Sequence, residues 1–111
     1  MKINFDKIGN NVVDGFKGGN GKFITSLYDD GTVKIMRNTL PAGSSIGLHS
    51  HEGNCEVMFV TKGEITFSYD GVEETVKAGE AHYCPNGHTH MAENRTNSDA
   101  DFLAVVPQMD K

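Results

Sequence analysis

"GSSIGLHSHEGNCEVMFVTKG", Gly43 to Gly63, sets two histidines one residue apart, follows them with a glutamate and closes on a glycine. Side chains alternate between faces along a strand, so His49 and His51 point to one side with Cα atoms roughly 6.5–7 Å apart. Two imidazoles aimed together are costly to bury without a shared partner. Glu56 lies beyond "EGNC", where Gly53 and Asn54 favour a turn that brings the carboxylate back on the neighbouring strand. A lone His-x-His is a weak signal. The rest of the chain has to supply or withhold the missing ligands.

Working outward, regular punctuation divides the chain into short runs. "DDG" separates "KFITSLY" from "TVKIMRNTL", "PAG" turns into "SSIGLHSH", and "DG" at Asp70 and Gly71 joins "EITFSY" to "VEETVK". Ile65 and Phe67 alternate with Thr66 and Ser68, the period of a half-buried strand, and a Gly after Asp between two such runs marks a hairpin. Thirteen glycines and three prolines suit many short strands joined by tight turns. No segment keeps a 3.6-residue apolar period over three turns. The pattern predicts an all-β protein of about nine to eleven short antiparallel strands, folded as a sandwich or barrel. Residues 1–21 form an N-terminal arm whose "DGFKGGNG" is too glycine-rich for a strand interior and reads as a loop, or as a segment ordered by a dimer partner. Residues 22–107 form the barrel and 108–111 a short tail.

With 111 residues there is room for one core. The net charge is −5, with lysines and arginines scattered, which argues against nucleic acid, since that partner needs a concentrated positive face. No apolar run approaches the ~20 residues that span a bilayer, and the polar start "MKINFDKIGNN" lacks a secretory apolar core, so a cytoplasmic protein is expected. Cys55 and Cys84, without a CxxC pattern, read as two thiols.

Four of the five histidines fall in two His-x-His pairs, His49/His51 and His88/His90. Imidazole and carboxylate together suit Fe, Ni, Zn, Mn or Cu better than Ca or Mg. The stretch from Gly43 to Gly63 resembles the first cupin motif, G(X)5HXH(X)3-4E(X)6G, at Gly43, His49, His51, Glu56 and Gly63. "GEAHYCPNGHTHMAEN" resembles the second, G(X)5PXG(X)2H(X)3N, at Gly79, Pro85, Gly87, His90 and Asn94. The resemblance implies a cupin jelly-roll barrel holding one divalent transition metal per chain through His49, His51, Glu56 and His90. Three nitrogens and one oxygen would leave about two coordination positions open to a ligand. The motif glycines fall where strands must turn sharply, and Pro85 with Gly87 gives a stiff turn that delivers His90.

Other residues are candidates for the pocket or for contacts around the ligands. His88 shares parity with His90 if the strand has begun there; otherwise it sits in the turn. Arg37 would anchor a carboxylate if its face of "TVKIMRNTL" lines the barrel, but Met36 and Leu40 make the other face equally apolar. Tyr28 and Tyr69 carry the same ambiguity, with core packing the default. His82 reads as a satisfied structural histidine. Phe59, Phe67, Phe102, Val57, Ile65, Leu103 and Val105 are core candidates.

The resemblance implies a mononuclear metalloenzyme acting on a small polar or acidic molecule, by dioxygenase, isomerase or lyase chemistry with the metal as Lewis acid or O₂ activator. The alternative is a metal-dependent module that binds or senses a small molecule without turning it over, favoured by the lack of an evident general base apart from the ligands. Cupins of this kind often pair, so a homodimer is expected.

Overall fold

The structure, a computed structural model, describes residues 1–109; Asp110 and Lys111, the end of the expected tail, lie outside the described residues. Short runs of alternating burial become ten strands among those residues: β1 (Asn11–Asp14), β2 (Lys22–Asp29), β3 (Val33–Leu40), β4 (Ser45–Ser50), β5 (Glu56–Lys62), β6 (Glu64–Tyr69), β7 (Val72–Lys77), β8 (Ala81–Cys84), β9 (Thr89–Glu93) and β10 (Ala100–Pro107). A single helical turn, α1 (Phe5–Ile8), precedes them, and a 3₁₀ turn, Phe16–Gly18, stands between β1 and β2.

The strands form two antiparallel sheets, one ordered β1-β2-β3-β10-β5-β8 and the other β4-β9-β6-β7. Beyond the β1-β2-β3 run and the β6-β7 hairpin, neighbours within each sheet are out of sequence, which marks a jelly-roll architecture rather than a meander. The core lies between the sheets: Phe23, Leu40, Met58, Val60 and Phe102 from the first meet Ile46, Ile65, Phe67, Val76 and Ala92 from the second. Burying a side chain of this size contributes about 1.5–3 kcal/mol, so this layer is the main support of the fold.

Alternation corrects four of the seven core expectations. Phe67, Ile65 and Phe102 are buried, but β5 turns Met58 and Val60 inward and therefore turns Val57 and Phe59 outward. On β10, Phe102, Ala104 and Val106 face in, so Leu103 and Val105 face out. Phe59 and Leu103 are directly opposite each other on that outer face. The hydrophobic pattern was continuous on both faces, so composition could not choose between them.

The glycine-rich segment after β1 is ordered by the chain itself. Phe16 stacks on Phe23 with ring centroids 4.8 Å apart, and the 3₁₀ turn rests on β4. Glycine makes that contact possible: a Cβ at Gly47 would lie 1.9 Å from the Lys17 carbonyl oxygen, and one at Gly19 would lie 2.2 Å from the Ser45 carbonyl oxygen. At the β5–β6 junction Gly63 holds φ at 76°, a conformation that side chains disfavour. Asn94, almost fully buried, latches the β9–β10 turn by donating to the Leu40 and Ser98 carbonyls and accepting from Thr96.

Candidate metal centre

The four-stranded sheet supplies two histidines from neighbouring strands: His49 on β4 and His90 on β9 are cross-strand partners. Glu56 opens β5 of the other sheet, and His51 comes from the connection between β4 and β5. That connection is tied to the opposite turn, with the His51 amide donating to the His88 carbonyl and the Gly87 amide donating to the His51 carbonyl. The two sheets thereby close on one point. One ligand atom from each of His49, His51, Glu56 and His90 lies within 4.8 Å of all the others.

The hydrogen bonds behind the rings decide what the front of each ring offers. His49 Nδ1 lies 2.7 Å from the Gly47 carbonyl, which only accepts, so Nδ1 carries the proton and Nε2 a lone pair. His51 Nδ1 likewise donates to Asn54 Oδ1 at 2.6 Å. Behind His90 a longer chain operates. His82 Nδ1 donates to the Glu74 carboxylate at 2.6 Å, which leaves His82 Nε2 to accept from His90 Nδ1 at 3.0 Å. All three Nε2 atoms thus present lone pairs, with His90 Nε2 3.0 Å from both His49 Nε2 and His51 Nε2.

Glu56 Oε1 joins them at 3.1 Å from His51 Nε2 and 3.3 Å from His90 Nε2. Three neutral rings and a carboxylate facing one another have no donor among them, and a cation completes such a set. The residues therefore fit a divalent metal by their donor chemistry. Without a cation, an Nε2–H turned from His51 or His90 toward Glu56 takes its place; burial pushes the Glu56 carboxyl up, but hydrogen bonds donated in this way prevail and bring its pKa down to about 2. Glu56 in turn raises the pKa of His51 by hydrogen bonding, against burial, while burial lowers that of His49.

A cavity of about 530 Å³ opens beside this cluster, between β1, β2 and β3 on one side and the ligands on the other. Its walls are largely apolar, with Phe16, Phe23, Met36 and Phe102 among them. Lys17 and Lys34 also line it, and Glu56 is the one carboxylate among the described lining residues.

The remaining candidates are not brought to the ligands. Arg37 is on the outer face of β3, where its guanidinium meets Asp6 on α1 at 2.9 Å. Lys34, Met36 and Asn38 occupy the face that lines the cavity, so parity turns Arg37 away. Tyr28 is also outside, bonded to Asp30 at 3.2 Å. His88 precedes the first residue of β9 and turns to Asp70 at 2.5 Å and to the Tyr69 hydroxyl at 3.1 Å. Tyr69 stacks on His88 and meets His82 edge-on, placing it behind the ligand rings. His82 is fully buried and bonded through both nitrogens, the satisfied histidine expected, although one partner is His90 itself. Sequence reasoning missed Glu74, Lys17, Lys34, Thr25 and Asn38. Alternation along β3 carried the signal for Lys34 and Asn38, but not which face was inside.

A family model described as the cupin domain matches residues 36–106, well over half of the chain. The chain belongs to the cupin family. This cupin is 43% identical over 72 residues to the "Oxalate-binding protein" of Thermotoga maritima, a match covering 65% of this chain and 60% of that protein's length. A crystal structure titled as a predicted oxalate decarboxylase from Thermotoga maritima is 30% identical, with a TM-score of 0.91 over 98% of this chain and 100% of that one. A Klebsiella pneumoniae protein with a double-stranded β-helix domain shares the fold at 20% identity, with a TM-score of 0.77 over 98% and 85% of the two chains. Among the described residues no helix is long and apolar enough to cross a membrane.

Proposed function

We propose that this cupin holds one divalent transition metal through His49, His51, Glu56 and His90, and binds a small carboxylate on the metal's cavity side. The observation that carries this reading is the convergence of three Nε2 lone pairs and the Glu56 carboxylate beside a cavity that lysines also line. When bound, the metal supplies a Lewis acid to which a carboxylate or enediolate can attach. The chain's own residues do the rest. Gly47, Asn54 and His82 hold the rings in the ligating tautomer, and apolar walls lower the local dielectric, which strengthens attraction to an anion. Lys17 and Lys34 add positive charge to the cavity wall. The names of the two Thermotoga maritima relatives support oxalate or a near analogue as the first ligand to test.

Once the ligand is bound, two fates for it are distinct. An enzyme of dioxygenase, isomerase or lyase type is favoured by the opening of the cluster onto the cavity, which His49, His51 and Glu56 line. A binding or sensing module is favoured by the lining, which offers no carboxylate besides Glu56. Calorimetric titration of oxalate into Mn, Fe, Ni and Zn forms, followed by product analysis, separates the two. Metal-dependent binding with consumption of ligand supports the enzyme, and binding without consumption supports the module. Failure of oxalate and 2-oxo acids to bind any metal form would overturn the carboxylate reading.

We also propose a homodimer, supported by the apolar outer face that Val57, Phe59, Tyr83, Leu103 and Val105 share. A monomeric mass by light scattering at micromolar concentration refutes it.

A further inference from the structure

We propose that this cavity is built for a carboxylate larger than oxalate: an acid whose metal-seeking end continues into an apolar body that carries a hydrogen-bond donor. The inference rests on the metal–carboxylate reading above and concerns the wall formed by β2 and β3. Thr25 and Asn38 are direct cross-strand partners there and both line the cavity. They are 9% and 2% exposed, and neither the Thr25 hydroxyl nor the Asn38 side-chain oxygen finds a hydrogen-bond partner among the described residues.

Buried polar atoms are nearly always paired, and leaving one unpaired is destabilising. Their neighbours on the same face are apolar: Phe23 and Leu27 flank Thr25, and Met36 and Leu40 flank Asn38. The two polar side chains thus interrupt an apolar surface without satisfying any group of the fold. Oxalate on the metal would leave that wall untouched, because a two-carbon dianion fills a small part of about 530 Å³, a volume in the range of sites for drug-sized ligands. The stacked Phe16 and Phe23 rings with Met36 offer dispersion contacts that only an aryl or alkyl group uses. Both oxygens are shielded in the rotamers of this structure, so each meets a ligand by turning its side chain toward the cavity; Asn38 Oδ1 then accepts, and the Thr25 hydroxyl donates or accepts, so the matching ligand group is a hydroxyl or an amide N–H.

The test is calorimetric titration of the Mn-loaded full chain with oxalate, phenylpyruvate and (4-hydroxyphenyl)pyruvate, alongside Thr25→Val and Asn38→Leu. Phenylpyruvate is expected to bind at least about tenfold more tightly than oxalate, through apolar burial. The ring hydroxyl is expected to add about a further fivefold, lost in both variants. Oxalate affinity stays the same in both variants, and their melting temperatures are unchanged or higher, because an apolar replacement removes an unpaired buried group. Oxalate binding most tightly, both variants melting at lower temperature, or no response to the ring hydroxyl would each overturn the inference, the last result assigning the polar pair to ordered water. If oxalate binds and the longer acids do not, only this inference fails; if none binds, the reading of the site fails with it.

Discussion

The two His-x-His steps are the same three-residue pattern with different fates. His49 and His51 both reach the cluster, although only His49 lies on a strand; His51 is beyond the end of β4 and is turned in by its bond to Asn54. Of the second pair only His90 arrives, because β9 begins at Thr89 and His88 is left in the turn with Asp70 and Tyr69. Parity on a strand is therefore neither necessary nor sufficient for a ring to join the cluster. The bond made by the far nitrogen decides: Gly47, Asn54 and His82 hold the three clustered rings, whereas Asp70 holds His88 elsewhere.

The sharpest way to break this contrast is to remove one histidine of the second pair at a time. His90→Ala is expected to lower metal affinity by more than about 100-fold, beyond what loss of an outer contact costs, while His88→Ala leaves metal content unchanged. Elemental analysis after dialysis against a weak chelator reads both, and equal losses would erase the distinction. Next in size is His82→Phe, which keeps the stack on Phe67, whose ring lies 3.9 Å from that of His82, but removes the acceptor behind His90. Metal affinity should fall about 10- to 100-fold with the fold intact by circular dichroism.

Gly47→Ala probes the same idea from the backbone. The new methyl collides with the Lys17 carbonyl, so the variant should lose about 1–3 kcal/mol of stability in urea unfolding and loosen the carbonyl that fixes His49. The smallest effect is on acid stability. The folded pKa of Glu56, about 2, lies below its ordinary 4.5. The stabilisation is thus complete above about pH 4.5 and is lost as pH falls toward 2. Melting temperatures of the metal-free protein should decline through that window, and more gently in Glu56→Gln. An equally steep decline in that variant would show that other groups set the acid limb.

Much of this was legible in the sequence, and the limits have a physical origin. The motif spacings named all four clustered residues because each glycine and proline in them answers a backbone demand, and the turn signals gave a strand count that ten strands meet. Arg37, Phe59 and Leu103 were not decidable, since apolar residues stand on both faces of β3, β5 and β10. A period of two gives relative orientation and never says which face is inside. Glu74 was hidden for another reason. It looks like an ordinary charge of a sheet-edge strand, and only the β6–β7 register, which sets it opposite Phe67, brings it to His82.

Cys84 gives the site a chemical quietness. It is fully buried and is the cross-strand partner of Glu56. Burial first, and then the Glu56 carboxylate, push its thiol up to about 11. A thiolate is the form that captures soft metals and reacts with peroxides, so at neutral pH this sulfur stays protonated beside the ligand set. The sulfur is also not among the atoms that converge at the cluster, so the site is expected to keep its nitrogen and oxygen character, and the protonated thiol to react slowly with peroxides.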